Sequence, residues 1–290
     1  MNNSIAICFA INDAYCEQTI KIIKSISINT ATDSIRIYIL FNNLNTENKA
    51  RILTTTNIDK RLDIKFVEIS KNIFKDVKIT IHHTSIETYF RLLIPSLFKG
   101  IENKILYLDA DIVIRKSIDQ LWNTDVENYC IAGAEDIFIN NINHKKNIGL
   151  TDNDIYVNAG VLLFNIKKIN KIFQNNDLIL AAIKFKNLTF QDQDLLNILF
   201  KGNIKQIERK YNMTMADIKK STLEKIEAAT IIHYTGSNKP WDTKNTDAIP
   251  YKYYFTDNNN RTFFHIKKED YNGYRHYSLF NLPLWHKKLK

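Results

Sequence analysis

The chain has 290 residues, of which 44% are hydrophobic and 24% charged, the usage of an ordinary globular protein. That length suits one large domain or two small ones, and the composition excludes a disordered, collagen-like or coiled-coil chain. The net charge is +9, and residues 261–290 hold 7 Lys/Arg against Glu269 and Asp270, so over half of the excess lies in the last tenth of the chain.

No apolar run approaches the roughly 20 residues that span a bilayer. The first, 5–11, follows no basic residue and runs straight into Asn12-Asp13, which predicts a strand and not a signal peptide. Cys8, Cys16 and Cys130 form no CxxC, so neither a disulfide framework nor a zinc site is indicated, and a reducing cytoplasm is the expected setting. The glycines lie far apart with no GxG, which removes the dinucleotide fingerprint and the P-loop; GxSxG and HExxH are absent as well.

In chain order, 4–10 is an apolar run bounded by polar residues and predicts a buried strand. Isoleucines near helical spacing predict a helix over 14–29. Alternation returns at 35–41 and 62–69, with a polar surface helix over 45–57 between them. Alternating strands and helices predict βαβ units and a mostly parallel sheet, with right-handed crossovers placing helices on both faces. A helix over 85–98 is expected, capped by Ser85 and closed near Pro95. Strands follow at 104–108, 112–114, 129–134 and 157–165, helices over 167–186 and 192–200, and a late strand at 228–234. Beyond about residue 245 the pattern dissolves into polar, aromatic and basic residues, so the expected division is 1–245 and 246–290.

Asp109-Ala110-Asp111 directly follows the strand KILYL. Carboxylates at i and i+2 of an extended chain point to the same side. At the carboxyl end of a buried strand they face the crevice where open α/β sheets bind ligands. Two anions there are costly without a cation between them, and hard oxygen ligands suit Mg²⁺ or Mn²⁺ with a diphosphate completing the shell. A solvated turn between two strands is the plainer alternative.

Four further places carry polar groups where chemistry could sit. Asp192 or Asp194 near a helix start fits ordinary capping, whereas Gln193 offers a donor and an acceptor to a sugar without a titrating charge. Asn158-Ala159-Gly160 enters an apolar strand, either as a turn in which Gly160 permits unusual dihedrals or as a close backbone approach to a ligand. His233 ends a strand and precedes Gly236, Lys239 and Trp241, which suits metal and phosphate binding as well as a satisfied core histidine. Arg91 falls where a core-facing helix prefers an apolar residue, although a surface arginine with a packed stem fits too.

Taken together, FAINDAY (9–15), HHTSIETYFRL (82–92), KILYLDADIVI (104–114), LW (121–122), AEDIF (134–138), YVNAGVLLFN (156–165), FQDQDLLNILF (190–200) and HYTGSNKPW (233–241) resemble glycosyltransferase family 8, most of all its bacterial lipooligosaccharide α-galactosyltransferases and α-glucosyltransferases. The resemblance implies a GT-A fold: one Rossmann-like nucleotide-sugar domain around a mostly parallel sheet, with a short C-terminal segment. It implies retaining transfer of galactose or glucose from a UDP-sugar to a saccharide or glycolipid acceptor, with Mn²⁺ and with Mg²⁺ as the alternative ion. Asp109, Asp111 and His233 would then hold the metal, and Ala10, Asn12 and Tyr15 the uridine. Asp109, Ala110, Asp111, Gly236 and Lys239 would line the nucleotide's diphosphate. Arg91, Asp136, Asn158, Ala159, Gly160, Asp192 and Gln193 would surround the donor sugar, and His83 would meet the acceptor. Family members often carry Asp where this chain has Asn12, which weakens that uridine contact. Retention by double displacement would need a nucleophile such as Asp192 or Asp194; neutral Gln193 at the sugar favours a front-face substitution.

A haloacid-dehalogenase-type phosphatase also uses Asp-x-Asp after a strand but expects it near the domain start. A non-catalytic carbohydrate-binding protein would not need metal, phosphate and sugar segments together. Nothing accompanies the positive charge that predicts nucleic-acid binding. The basic, aromatic tail leaves two expectations: its aromatics pack onto the domain with the lysines solvated, or, as the resemblance implies, it attaches peripherally to anionic lipid on the inner face of the cytoplasmic membrane.

Overall fold

A computed structural model describes residues 4–79, 85–237, 239 and 241, together with the strands of 267–288. The strands are Ser4–Ile11 (β1), Ser34–Phe41 (β2), Leu62–Glu68 (β3), Lys104–Leu108 (β4), Ile112–Ile114 (β5), Ile131–Glu135 (β6), Val157–Asn165 (β7), Ile204–Ile207 (β8), Met213–Thr214 (β9) and Ile231–His233 (β10). Seven of them form one sheet in the order β3-β2-β1-β4-β7-β6-β8. β1 is an interior strand, flanked by parallel β2 and β4, and its near-continuous apolar run is buried as a strand covered on both faces must be. β3 lies at the edge, and its alternating LDIKFVE keeps polar side chains toward water.

The sheet is mostly parallel, as expected, except that β7 runs antiparallel to both β4 and β6. This reversal brings the start of β7 to the same sheet edge as the end of β4. The N–H of Asp109 donates to the Gly160 carbonyl at 2.8 Å, directly beyond the Leu108–Val161 pair. A second sheet, β5-β10-β9, pairs His233 with Ile112 and so returns the end of β10 to the neighbourhood of Asp111. β8 and β9 were not foreseen: four and two residues are too few for alternation to register.

The helices follow the expected positions but break more often. Residues 45–57 form Thr46–Leu53 and Thr55–Ile58, and 167–186 form Ile166–Ile172, capped by Asn165, and Asp177–Lys184. The helix expected over 85–98 is a 3₁₀ helix, Ile86–Leu93, followed by the short helix Ile94–Leu97. Ser85 makes no side-chain cap there, and Pro95 lies in the first turn of the short helix, where a missing N–H costs nothing.

Past residue 245 the expectation of no regular element is corrected. Lys267–Tyr271 (β11), Tyr274–Leu279 (β12) and Leu282–Lys288 (β13) pair as an antiparallel meander. The missed signal is Asn272-Gly273, a two-residue hairpin sequence between β-prone runs. Residues 242–266 and the tail side chains lie outside the described residues, as does His83. Among the described residues no helix is long and apolar enough to cross a membrane. Cys8, Cys16 and Cys130 are buried free thiols.

Candidate active site

Asp109, Asp111 and His233 each offer a ligand atom within a cluster no more than 4.8 Å across. His233 Nε2 lies 3.1 Å from Asp111 Oδ1 and 3.7 Å from Asp109 Oδ2. The donor set, two carboxylate oxygens and one imidazole nitrogen, suits a divalent cation. Asp111 Oδ1 is buried without a hydrogen-bond partner among the described residues, an atom a cation would satisfy. Burial alone would raise the Asp111 carboxyl, but Lys239 and His233 outweigh it and hold the group well below the usual range, ready ionised as a ligand. Lys239 Nζ reaches Asp111 Oδ2 and also donates to the Tyr234 carbonyl at 2.7 Å. Gly236, between them in sequence, has φ +90°, a conformation that side chains rarely adopt.

Arg91 is buried beside this cluster. In a 3₁₀ helix residues i and i+3 eclipse, and Arg91 Nε donates back to the Thr88 carbonyl at 2.9 Å. Its Nη2 donates to Asp109 Oδ1 at 3.0 Å and its Nε lies 2.9 Å from Asp192 Oδ2. Tyr107 adds a 2.7 Å hydrogen bond to Asp109 Oδ1, and its ring lies under the guanidinium. Burial pushes the Asp192 carboxyl up to about 7 against the pull of Arg91, with Asp109 adding repulsion. Asp194 plays the expected capping part, since its Oδ2 accepts the N–H of Phe190, the residue at the head of the helix Gln191–Leu199, at 2.8 Å, whereas Asp192 is committed to Arg91.

Gln193, Asn158 and Asp136 are joined directly. Asn158 Nδ2 donates to Asp136 Oδ2 and to Gln193 Oε1, each at 3.1 Å. Gln193 Oε1 also accepts the Ala159 N–H at 3.0 Å, while its Nε2 donates to Asp136 Oδ2 and to the Tyr156 hydroxyl. Both lone pairs and both protons of the Gln193 amide are therefore engaged. Asn197, one turn on, pairs its amide with both the N–H and the carbonyl of Val157, which fixes the helix against the start of β7. Asp194 is fully buried and accepts from Tyr156 and the Phe190 N–H, with His144 Nε2 at 2.8 Å.

Gly160 serves a purpose the sequence did not suggest. Its φ is not positive, so the expected unusual dihedrals are absent. A Cβ there would lie 2.1 Å from His233 Cε1 and 2.8 Å from Asp109 Oδ2, so the missing side chain makes room for the histidine. On the other flank Tyr15 packs edge-on to Trp241, and burial together with the nearby Asp111 and Asp109 raises its hydroxyl's pKa. Asn12 caps the turn Asp13–Tyr15 and donates to Glu87 at 3.3 Å; half-buried Ala10 is the penultimate residue of β1. Tyr107, His144, Tyr156 and Asn212 were missed. Each sits in an apolar or unremarkable stretch, and only tertiary approach marks it.

The family model for glycosyl transferase family 8 matches residues 6–245. A Haemophilus influenzae protein named "Putative glycosyltransferase" is 36% identical over 252 residues, covering 84% of this chain and 74% of that protein. The lipopolysaccharide 1,3-galactosyltransferase of Salmonella typhimurium is 28% identical over 180 residues, 58% of this chain and 52% of that enzyme. Among solved structures, the galactosyltransferase LgtC in complex with donor and acceptor sugar analogues superposes with a TM-score of 0.74 at 27% identity, covering 83% of this chain and 91% of that one. The seven-stranded architecture is accordingly the GT-A fold, and the phosphatase alternative has no support. The chain belongs to glycosyltransferase family 8.

Proposed function

We propose that this glycosyltransferase moves galactose or glucose from a UDP-sugar to a saccharide acceptor of the lipopolysaccharide or lipooligosaccharide core, retaining the anomeric configuration. The observation that carries the reading is the Asp109–Asp111–His233 cluster, with Lys239 on one side and Arg91, Asn158, Asp136 and Gln193 on the other. The relatives named for lipopolysaccharide galactosyl and glucosyl transfer support the substrate class.

In this reading Asp109, Asp111 and His233 hold Mn²⁺ or Mg²⁺, which when bound neutralises charge on the leaving diphosphate. Lys239 places a point charge, and the loop at Gly236 its backbone, at the β-phosphate as charge develops. Tyr15, with Ala10 and Asn12, forms the uridine wall. Arg91, held charged between Asp109 and Asp192, orients both carboxylates toward the sugar. Water exclusion by this buried polar wall favours transfer over hydrolysis.

Retention is read as front-face substitution, with the acceptor hydroxyl losing its proton to the departing phosphate. Asp194 supports this reading: it is fully buried, with Tyr156 and His144 at one oxygen and the Phe190 N–H at the other, an environment that holds it in place as a structural group. Gln193, its amide saturated, makes a neutral floor at the sugar. The basic tail is read as a peripheral contact to anionic lipid beside a lipid-linked acceptor at the cytoplasmic membrane face.

The test is a UDP-sugar panel scored for Mn²⁺-dependent hydrolysis and transfer, with p-nitrophenyl phosphate as the control. UDP-galactose or UDP-glucose should turn over, and Asp109→Asn or Asp111→Asn should lose most of that activity while still folding. No turnover of any UDP-sugar, or near-normal turnover by either variant, overturns the reading.

A further inference from the structure

We infer that Asn212 is a positioning residue that fixes the tautomer of His233, so that the imidazole presents a bare Nε2 to the cation. The inference rests on the proposed metal site.

A histidine can ligate through Nε2 only when that nitrogen carries no proton, and in a neutral ring this requires the proton to sit on Nδ1. A chain of hydrogen bonds dictates that arrangement, because two of its ends are groups of fixed polarity. The Gly160 backbone N–H can only donate, and it lies 3.0 Å from Asn158 Oδ1. The Asp136 carboxylate can only accept, and it lies 3.1 Å from Asn158 Nδ2. Together they orient the Asn158 amide without ambiguity. The group of Asn212 facing Asn158 Oδ1 at 2.9 Å must then be its NH₂, which turns Asn212 Oδ1 toward His233 Nδ1, also at 2.9 Å. An amide oxygen only accepts, so Nδ1 must bear a proton whether the ring is charged or neutral, and Nε2 is the nitrogen that faces Asp111 and Asp109 and is bare once the ring is neutral.

Asn158, Asn212 and His233 are all buried, so water cannot substitute at any link without leaving another polar atom unpaired. Gly160 therefore acts twice: its N–H begins the chain, and its missing side chain leaves space for the ring that ends it. Asn158, which the sequence suggested as a sugar contact, also carries the orientation from β7 to the metal ligand. Outer partners that orient a metal-bound histidine commonly change metal affinity 10–100-fold when lost.

The experiment uses the full chain. Calorimetric titration with Mn²⁺ alone compares wild type, Asn212→Leu and Asn212→Asp. Asn212→Leu removes the acceptor and should weaken Mn²⁺ at least about tenfold. Asn212→Asp keeps an acceptor for Nδ1–H but gives up the donor to Asn158 Oδ1, so it should recover part of that loss and fall between wild type and Asn212→Leu. Independently of any variant, two-bond ¹H–¹⁵N correlation of wild-type His233 should find Nδ1 protonated both without metal and with diamagnetic Mg²⁺. A deprotonated Nδ1 in the Mg²⁺-loaded protein, or undiminished Mn²⁺ affinity in Asn212→Leu, overturns the inference while leaving the metal site intact. A wild type that binds neither ion overturns the metal reading, and the inference with it.

Discussion

At the scale of single residues, the site depends on close contacts made by groups with little chemistry of their own. Gly160→Ala would drive a methyl group into His233 and Asp109. It should lower Mn²⁺ affinity at least about tenfold with the far-ultraviolet circular dichroism unchanged, because β7 is extended and accepts alanine; calorimetry checks this. The residues legible in the sequence were those whose type departs from its surroundings: Asp109 and Asp111 after KILYL, Arg91 among apolar residues, Asn158 at the head of an apolar strand. Gly160 was legible as special, but for the wrong reason, since its neighbour in space is 73 positions away. Asn212 and His144 were invisible because nothing in a local window distinguishes an asparagine or histidine that is fully partnered in the interior.

At the scale of elements, direction and helix type were the parts sequence could not supply. The apolar run of β7 predicted a buried strand with the observed bounds, yet an apolar pattern carries no polarity, and the reversal that aligns Gly160 with Asp109 went unseen. Likewise an eight-residue segment is too short for apolar spacing to separate a period of 3.0 from 3.6, so the expected helix over 85–98 carried no helix type. One junction between elements is electrostatic. Arg61 donates to the carbonyls of Ser27, Thr30 and Thr32 at the end of the helix Cys16–Asn29, and Asp59 holds it at 2.7 Å while accepting from the Ser27 hydroxyl. Burial would raise the Asp59 carboxyl, but Arg61, Ser27 and the Arg61 N–H bring it down to about 2 from 3.8. A depressed carboxylate stabilises above its unfolded pKa and loses that contribution as pH falls through its folded one. Asp59→Asn should therefore cost about 1–2 kcal/mol at pH 7, discounted for the partly exposed arginine, with the gap to wild type closing between about pH 4 and pH 2. Urea denaturation at a series of pH values measures it.

At the scale of the whole molecule, charge and aromatic content collect after residue 245, whereas the catalytic machinery proposed above ends at Lys239. The backbone of 267–288 pairs within its own meander. Removing 246–290 should leave Mn²⁺ binding and the thermal midpoint unchanged and should abolish salt-sensitive co-sedimentation with anionic vesicles, since each basic residue near such a surface contributes about 1 kcal/mol. Full-length protein that ignores those vesicles at low salt, or a truncated chain that unfolds, would assign the tail to the fold instead.

The pairing of β5 with β10 has a kinetic side. It joins Ile112 to His233, about 120 positions apart in sequence, whereas β2 pairs with β1 and β3 about 30 positions away. Loop closure over that distance is entropically unfavourable until other contacts have formed, so the strands carrying His233 are expected to dock late and open early. Native-state hydrogen exchange in dilute denaturant should find the amides of β5 and β10 released before those of β2, whose partners on both sides are local. Added Mn²⁺ should slow exchange in the former set and leave the latter unchanged, because the ligand triad straddles the first seam to part. The catalytic edge of the molecule would then be its least cooperative unit, bound into the rest more tightly while the ion is held.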